Sequence, residues 1–214
     1  MAQTMEAKNN VAAAQSLYET TLWTSPVVTS PLLLVSQFAW VTFQTGDTQR
    51  ALKIAQEFHK RNPTFVPMVE VLIKMAQSSR DPEKIAQWYT VIDTIEPFNK
   101  SHSIELAKAL LSLNKPEKAR SVLASLLSEK PQHRDAQITK LLARTWLGDD
   151  DAKGRSLLFE SIRYQPQAAT YALLAELEVR RQNRNNAIDA YREALKLAPN
   201  QLSTRFALIE ELLA

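Results

Sequence analysis

The chain has 214 residues and a net charge of +3, and it is 45% apolar and 23% charged, a composition typical of soluble globular proteins. It has no cysteine, which excludes disulfide bonds and thiolate metal sites. Only three glycines occur, and apolar residues recur at three- and four-residue spacing, so we expect an all-helical chain.

The sequence pattern also disfavours a membrane segment. The first residues lack the basic start and apolar core of a signal peptide. The longest apolar stretch near them, residues 31–41, is interrupted by Ser36 and Gln37 and is too short to span a bilayer. We therefore expect a soluble protein, cytoplasmic or periplasmic, that reaches a membrane only through a partner or a segment outside this chain.

Five prolines divide the chain at nearly constant intervals. Pro63, Pro97, Pro131, Pro166 and Pro199 are separated by 34, 34, 35 and 33 residues. Each ends an amphipathic run, because proline lacks the N–H that a helix needs and restricts the residue before it. Such a period is typical of a solenoid, in which each unit is too small to bury its apolar face and stacks on its neighbours.

In chain order, the predicted elements start with half a unit at residues 5–26, where Ala14, Tyr18, Leu22 and Pro26 hold the offsets of a second helix. Five complete two-helix units follow, at residues 30–63, 64–97, 98–131, 132–166 and 167–199. A terminal helix at residues 201–214 completes a single domain of about twelve helices.

The clearest unit spans residues 168–200. Its first helix carries Tyr171 and Leu174, and its second helix carries Ala187, Tyr191 and Ala194. Small residues at the two alanine positions let neighbouring helices approach, while the tyrosine fills the gap between units. We therefore expect Ala187 and Ala194 to be buried, and the earlier units to be weaker copies with larger apolar residues at these positions.

Polar turns separate the two helices of each unit. Acidic and amide side chains there can cap the second helix, and prolines after two of them suit its first turn. The capping candidates are Asp47, Asp81, Asn114 and the run Asp149–Asp151, and the prolines are Pro82 and Pro116.

The clearest unit resembles the tetratricopeptide repeat. In that family a bulky residue, a leucine and a small residue on the first helix precede alanine, aromatic, alanine and proline on the second. The likeness extends along the whole chain through the proline period. It implies a right-handed superhelix of antiparallel helix pairs, as in bacterial scaffold proteins, with a concave groove that holds a protein or peptide.

The resemblance also implies which residues line that groove. The predicted partner-binding residues, all on first helices, are Trp40, Phe43, Glu70, Lys74, Gln77, Lys108, Trp146 and Glu176. The same helix faces include Ser36, Ile104, Leu111, Thr139, Ala143, Ala172 and Val179. Lys74 and Lys108 hold matched positions in neighbouring units, which predicts a paired basic spot flanked by aromatic anchors. In the alternative interpretation, the tryptophans fill gaps between units and the lysines are only solvated.

The terminal helix is a second candidate surface. Phe206, Leu208 and Leu212 make it rather apolar for the polar outer face of a capping helix. One interpretation is an amphipathic cap packed on the fifth unit. The other is continuation or docking at this end, including self-association through a terminal half unit.

The sequence contains no recognisable constellation for catalysis, a cofactor or a metal. His59, His102 and His133 lack metal-ligand spacing. Residues 148–155 superficially resemble a phosphate or calcium loop, but they lack the terminal lysine–serine pair of the first and the distal glutamate of the second. We expect this segment to be a turn and the protein to be no enzyme.

The leading functional prediction is a scaffold that binds a partner protein or peptide during assembly of a bacterial envelope, secretion, pilus or polysaccharide-export complex. The carboxylate clamp of the chaperone-binding members is absent, since Ser36, Trp40 and Val71 stand at three of its positions. Two alternatives remain: an interaction segment of a larger enzyme or transport protein, and an RNA-binding helical repeat. Glu70 and Glu176 disfavour the latter because they would repel phosphate, so we expect neither a nucleic acid nor a small-molecule substrate.

Overall fold

The computed structural model describes residues 31–213, together with residues 13, 15 and 16, which are helical. The rest of the predicted half unit at residues 5–26 lies outside the described residues. Residues 31–213 form eleven α-helices and one short 3-10 turn, without a strand among them. The prediction of an all-helical chain is therefore confirmed.

Residues 31–97 contain two helix pairs, which belong to the first of two compact units into which the chain divides. The helices are α1 (Pro31–Gln44), α2 (Thr48–Arg61), α3 (Val66–Ser78) and α4 (Pro82–Ile95). Each helix packs on its pair partner, and α3 also packs on α1 and α2. The pairs thus stack within this unit.

Residues 98–214 belong to the second compact unit. Its helices are α5 (Lys100–Ser112), α6 (Pro116–Glu129), α7 (Ala136–Trp146), α8 (Asp151–Tyr164), α9 (Ala168–Arg180), α10 (Arg184–Leu197) and α11 (Leu202–Leu213), with the 3-10 turn at Pro131–His133. Here too each helix packs on its pair partner, and successive pairs are in contact. The predicted stacking of antiparallel pairs is confirmed within each unit, while the assignment of one domain to residues 1–214 stays a prediction.

The periodic prolines end the second helices. The last residues of α2, α4, α6, α8 and α10 are Arg61, Ile95, Glu129, Tyr164 and Leu197, and a proline stands two positions after each. Because the residue before a proline avoids helical dihedral angles, the helix ends there and the chain turns toward the next pair. One residue type thus sets the length of every unit.

The second helices bury the same positions in each repeat. Ala51, Ala119, Gly154 and Ala187 hold the first small position and are buried, whereas Ile85 at that position is partly buried. A Cβ atom added to Gly154 would lie 2.8 Å from Leu147 Cδ2, so the Leu147 side chain would have to shift, and 3.5 Å from Ala143 O of α7, which is an ordinary contact distance. Four positions later, the buried residues are Ala55, Tyr89, Leu123, Leu158 and Tyr191.

The turn after each first helix has a backbone conformation that recurs every 34 residues. Gly46, Arg80, Asn114, Gly148 and Gln182 all have positive φ, between 52° and 95°. After α3, α5 and α9 the flanking amides donate back to the last helical turn, for example Asn183 N to Glu178 O at 2.8 Å, which closes a Schellman motif. The chain reverses here before the second helix begins.

Asp47, Asp81 and Asp150 cap the second helices as predicted, accepting hydrogen bonds from backbone amides in the first turn. The prediction for Asn114 is wrong. Lys115 is the N-cap residue of α6 and makes no side-chain cap. Asn114 has a φ of 53° instead, because asparagine tolerates the left-handed region better than most residues. The 148–155 segment forms the predicted turn, where Asp151 Oδ1 accepts from Gly148 N at 2.8 Å.

Replacing Gln182 with glycine should stabilise the protein. A side chain in the left-handed region costs about 1–2 kcal/mol, part of which glycine loses again through its freedom in the unfolded chain. We expect Gln182→Gly to raise the free energy of unfolding by up to about 1 kcal/mol, measured by urea titration. Gly148→Ala is the matched change in the opposite direction. The added Cβ would have no neighbouring atom within 4 Å, so any loss of stability comes from the backbone conformation. A less stable Gln182→Gly variant would contradict this explanation of the turn.

A substitution at Ala187 tests how closely α9 and α10 pack. Both Ala187 and Ala194 have 0% exposure, which confirms the prediction that they are buried. Ala187→Leu should overpack the α9–α10 pair and cost roughly 1–3 kcal/mol in thermal or urea unfolding. The control is Ala169→Leu on the exposed side of α9. Equal stabilities of the two variants would show that the position has room.

Candidate functional site

Three predicted groove residues meet on first helices α1 and α3. The Trp40 and Phe43 rings stack with centroids 5.6 Å apart and an interplanar angle of 18°. Lys74 Nζ lies 5.7 Å from the Trp40 ring, within the range of a cation–π contact. Both aromatic residues are partly exposed and Lys74 is exposed. We call these three residues the Trp40 cluster.

Helix α3 extends this surface. Glu70 and Gln77 are exposed and lie one turn to either side of Lys74, so the three side chains follow one another along one helix face. Gln77 Nε2 donates to Tyr89 Oη of α4 at 3.1 Å, which holds the amide in place. The first unit therefore presents aromatic, basic, acidic and amide groups on the first-helix side.

The second unit has a basic patch that sequence reasoning found only in part. Lys108 of α5 is joined by Lys140 and Arg144, which are one turn apart on α7. Burial lowers the pKa of Lys140, and the charges of Arg144 and Lys108 lower it further. Lys108 Nζ bonds Glu105 Oε1 at 2.6 Å, so one of the three positive charges is balanced. The spacing of Lys140 and Arg144 on a first helix was the signal that could have found them.

Glu176 lies beside a small cavity on α9. It lines about 340 Å³ of space together with Leu147, Leu173, Val179, Arg180 and Tyr191. Burial raises the pKa of Tyr191, and the negative charge of Glu176 raises it further. The walls are mostly apolar, so the cavity suits an apolar side chain more than an ion.

Trp146 has an environment different from that of Trp40. Arg120 Cζ lies 3.4 Å and Lys153 Nζ 3.7 Å from the centre of its ring. Atoms this close must lie over the ring faces, and two on one face would overlap, so the ring is held between the two cations. Arg120 Nη2 also donates to Thr145 O and Asp149 Oδ2, at 2.6 and 2.9 Å. This environment favours the interpretation that Trp146 fills a gap between helices.

Several other first-helix positions are used for packing. Ser36, Ile104, Thr139 and Ala143 are buried, while Leu111, Ala172 and Val179 are partly buried. Ser36 Oγ donates to Leu33 O at 2.8 Å within its own helix. The accessible part of the first-helix face is therefore narrower than the predicted groove.

Lys74 and Lys108 belong to different compact units. The paired basic spot that the sequence suggests therefore stays a prediction.

Comparison with known proteins identifies the fold. No family model matches the chain, and no curated protein matches it. Among solved structures, the thermophilic TPR protein TTC0263 of Thermus thermophilus is 18% identical, with 86% of this chain and 100% of that one covered and a TM-score of 0.61. YrrB, a TPR protein with an unusual peptide-binding site, is 12% identical, with 89% and 96% covered and a TM-score of 0.66. PilW, a type IV pilus biogenesis factor, is 13% identical, with 86% and 87% covered and a TM-score of 0.64. The fold is that of the tetratricopeptide repeat.

In this tetratricopeptide fold the terminal helix α11 has two different faces. Thr204 is buried, and Leu208 packs against the core that α7, α8, α9 and α10 form. Phe206 and Leu212 are 64% and 49% exposed, and the other exposed apolar residues are Leu202, Ile209 and Leu213. The helix thus packs on the fifth pair as a cap does, yet its outer face is apolar.

The described part of the chain contains no group of three or more histidine, aspartate or glutamate side chains placed to hold an ion. None of its helices is long and apolar enough to cross a bilayer. His59 packs edge-on against Trp88 with ring centroids 5.1 Å apart, and burial lowers its pKa.

Proposed function

We propose that the chain is a non-enzymatic scaffold whose first-helix faces bind a segment of a partner protein. The observation that carries this proposal is the Trp40 cluster, in which two stacked, partly exposed aromatic rings lie beside an exposed lysine. Stacked aromatic side chains bury a large apolar area and lose little conformational freedom on binding. Such residues dominate the binding energy of many protein interfaces.

The residues around the Trp40 cluster specify the kind of partner. Lys74 and Glu70 lie on one face of α3, so the surface can hold a segment of mixed charge with an apolar or aromatic anchor residue. Gln77 is held by Tyr89 and offers a fixed amide to a peptide backbone. A folded or extended peptide fits this combination, whereas a nucleic acid backbone would meet Glu70.

We also propose that the first helices of the second unit, residues 98–214, contact a partner protein. The basic patch of Lys108, Lys140 and Arg144 supplies positive charge, and the cavity beside Glu176 supplies an apolar recess. Trp146 is left out of this contact because both faces of its ring are already covered.

The proposed setting is assembly of a bacterial envelope, secretion, pilus or polysaccharide-export complex. PilW has this fold and is a pilus biogenesis factor, and YrrB has it together with a peptide-binding site. Both proteins are similar to this chain in fold. They support the proposed role in assembly because they show that the same architecture is found in such proteins.

A peptide-display selection tests the proposal. Peptides selected on the immobilised full chain are synthesised, and their affinity is measured by fluorescence anisotropy for the wild type and for Trp40→Ala. Loss of an aromatic anchor should weaken binding by about 2 kcal/mol or more. Lys74→Glu should mainly slow association and change its salt dependence, because exposed charges act through steering.

The controls carry equivalent changes outside the first-helix face. Tyr164→Ala removes an exposed aromatic ring from α8, and Lys53→Glu reverses an exposed charge on α2. All variants are checked by circular dichroism. Peptides that bind Trp40→Ala as tightly as the wild type, or a selection that yields no binders, would contradict the proposal.

A further inference from the structure

One face of α8 carries an open cavity that the proposed first-helix contacts do not involve. It measures about 470 Å³ and is lined by Arg155, Phe159, Ile162 and Arg163 of α8 and by Arg181 after α9. The α8 residues are three or four positions apart and so share one helix face. A volume of this size lies within the usual range of ligand-binding clefts.

A buried carboxylate fixes Arg155 at this cavity. Glu178 of α9 is 1% exposed and accepts hydrogen bonds from Arg155 Nε and, at 2.8 Å, from Asn183 Nδ2. Burial would raise the pKa of Glu178, but the hydrogen bonds from Arg155 and Asn183 bring it below its usual value. The carboxylate is therefore ionised at neutral pH and holds the guanidinium in one place.

The guanidinium group of Arg155 retains N–H groups that can donate to a ligand. It has five N–H groups, and within residues 31–213 only Nε donates to another side chain. Its Cζ lies 4.8 Å from the centre of the Phe159 ring. Phe159 is itself 41% exposed, so a charged and an aromatic group lie side by side at the solvent boundary.

Two further guanidinium groups leave the cavity positively charged. In the part of the chain that the structure describes, neither Arg163 nor Arg181 makes a side-chain hydrogen bond or an ion pair. Their charges reach Glu160 and Glu178 only at longer range. The Glu178 carboxylate balances Arg155, so the other two positive charges lack a carboxylate in contact with them.

The charge and the apolar lining together point to one class of ligand. We propose that this cavity binds an acidic peptide segment of a partner protein. An aspartate or glutamate carboxylate accepts N–H groups of Arg163 and Arg181, and a neighbouring aliphatic or aromatic side chain covers Phe159 and Ile162. A bare polyanion such as a nucleic acid backbone fits less well, because it has no apolar side chain to cover Phe159 and Ile162.

The test uses labelled short peptides in which aspartate or glutamate stands next to leucine or phenylalanine. Matched peptides carry asparagine or glutamine instead of the acid. Binding to the full chain is measured by fluorescence anisotropy at low and high salt. We expect the acidic peptides to bind, and the Arg163→Gln, Arg181→Gln double variant to bind them at least about tenfold more weakly. Phe159→Ala should weaken binding of the same peptides. The acidic peptides should still bind this variant more tightly than the matched amide peptides do.

Arg192→Gln on α10 is the control, because it removes an exposed guanidinium outside the cavity. It should bind as the wild type does, and circular dichroism should show all variants folded. Equal binding of the acidic and amide peptides, or equal binding by the double variant, would overturn the proposal. So would binding of oligothymidylate at this cavity without binding of any acidic peptide. None of these variants alters the Trp40 cluster, so a failure here is distinguishable from a failure of the proposed function.

Discussion

Close approach of paired helices is the constraint on which the rest of the structure depends. Each pair has fourteen residues or fewer per helix, too few to form a stable isolated helix in water. Stability must come from burial of one helix face against another. At the same position of the second helix, four of the five pairs hold a small buried residue, as at Ala51, Ala119 and Ala187, and Ile85 is the exception. The turn with positive φ and the proline after each second helix then fix where the next pair begins.

This dependence explains why so much of the fold could be predicted from the sequence. Proline positions and aspartate caps act locally, and their effect on the backbone does not depend on distant parts of the chain. The small residues act through packing, but they recur with the same period and so can be recognised in the sequence. Asn114 shows the limit of this reasoning. Asparagine is favoured both as an N-cap and in the left-handed region, and only the position of Lys115 in the structure decides between the two roles.

The candidate site was less predictable, because exposure depends on which neighbour covers a face. Trp40 and Trp146 have similar places in the repeat, yet one stacks on Phe43 at the surface and the other lies between Arg120 and Lys153. The cations that cover Trp146 come from second helices, and the sequence period does not indicate them. The cavity on α8 was missed for a related reason, since it joins Arg155 and Arg163 of a second helix to Arg181 after α9, and the sequence period does not indicate that these residues meet.

Amide hydrogen exchange on the intact protein, followed by mass spectrometry, tests the central claim most directly. If close packing of the pairs holds the fold, amides of α2, α4, α6, α8 and α10 should exchange slowly. The turns at Gly46, Arg80, Asn114, Gly148 and Gln182 should exchange fast, which gives a protection pattern with a period of about 34 residues. A second helix that exchanges as fast as these turns would contradict the account.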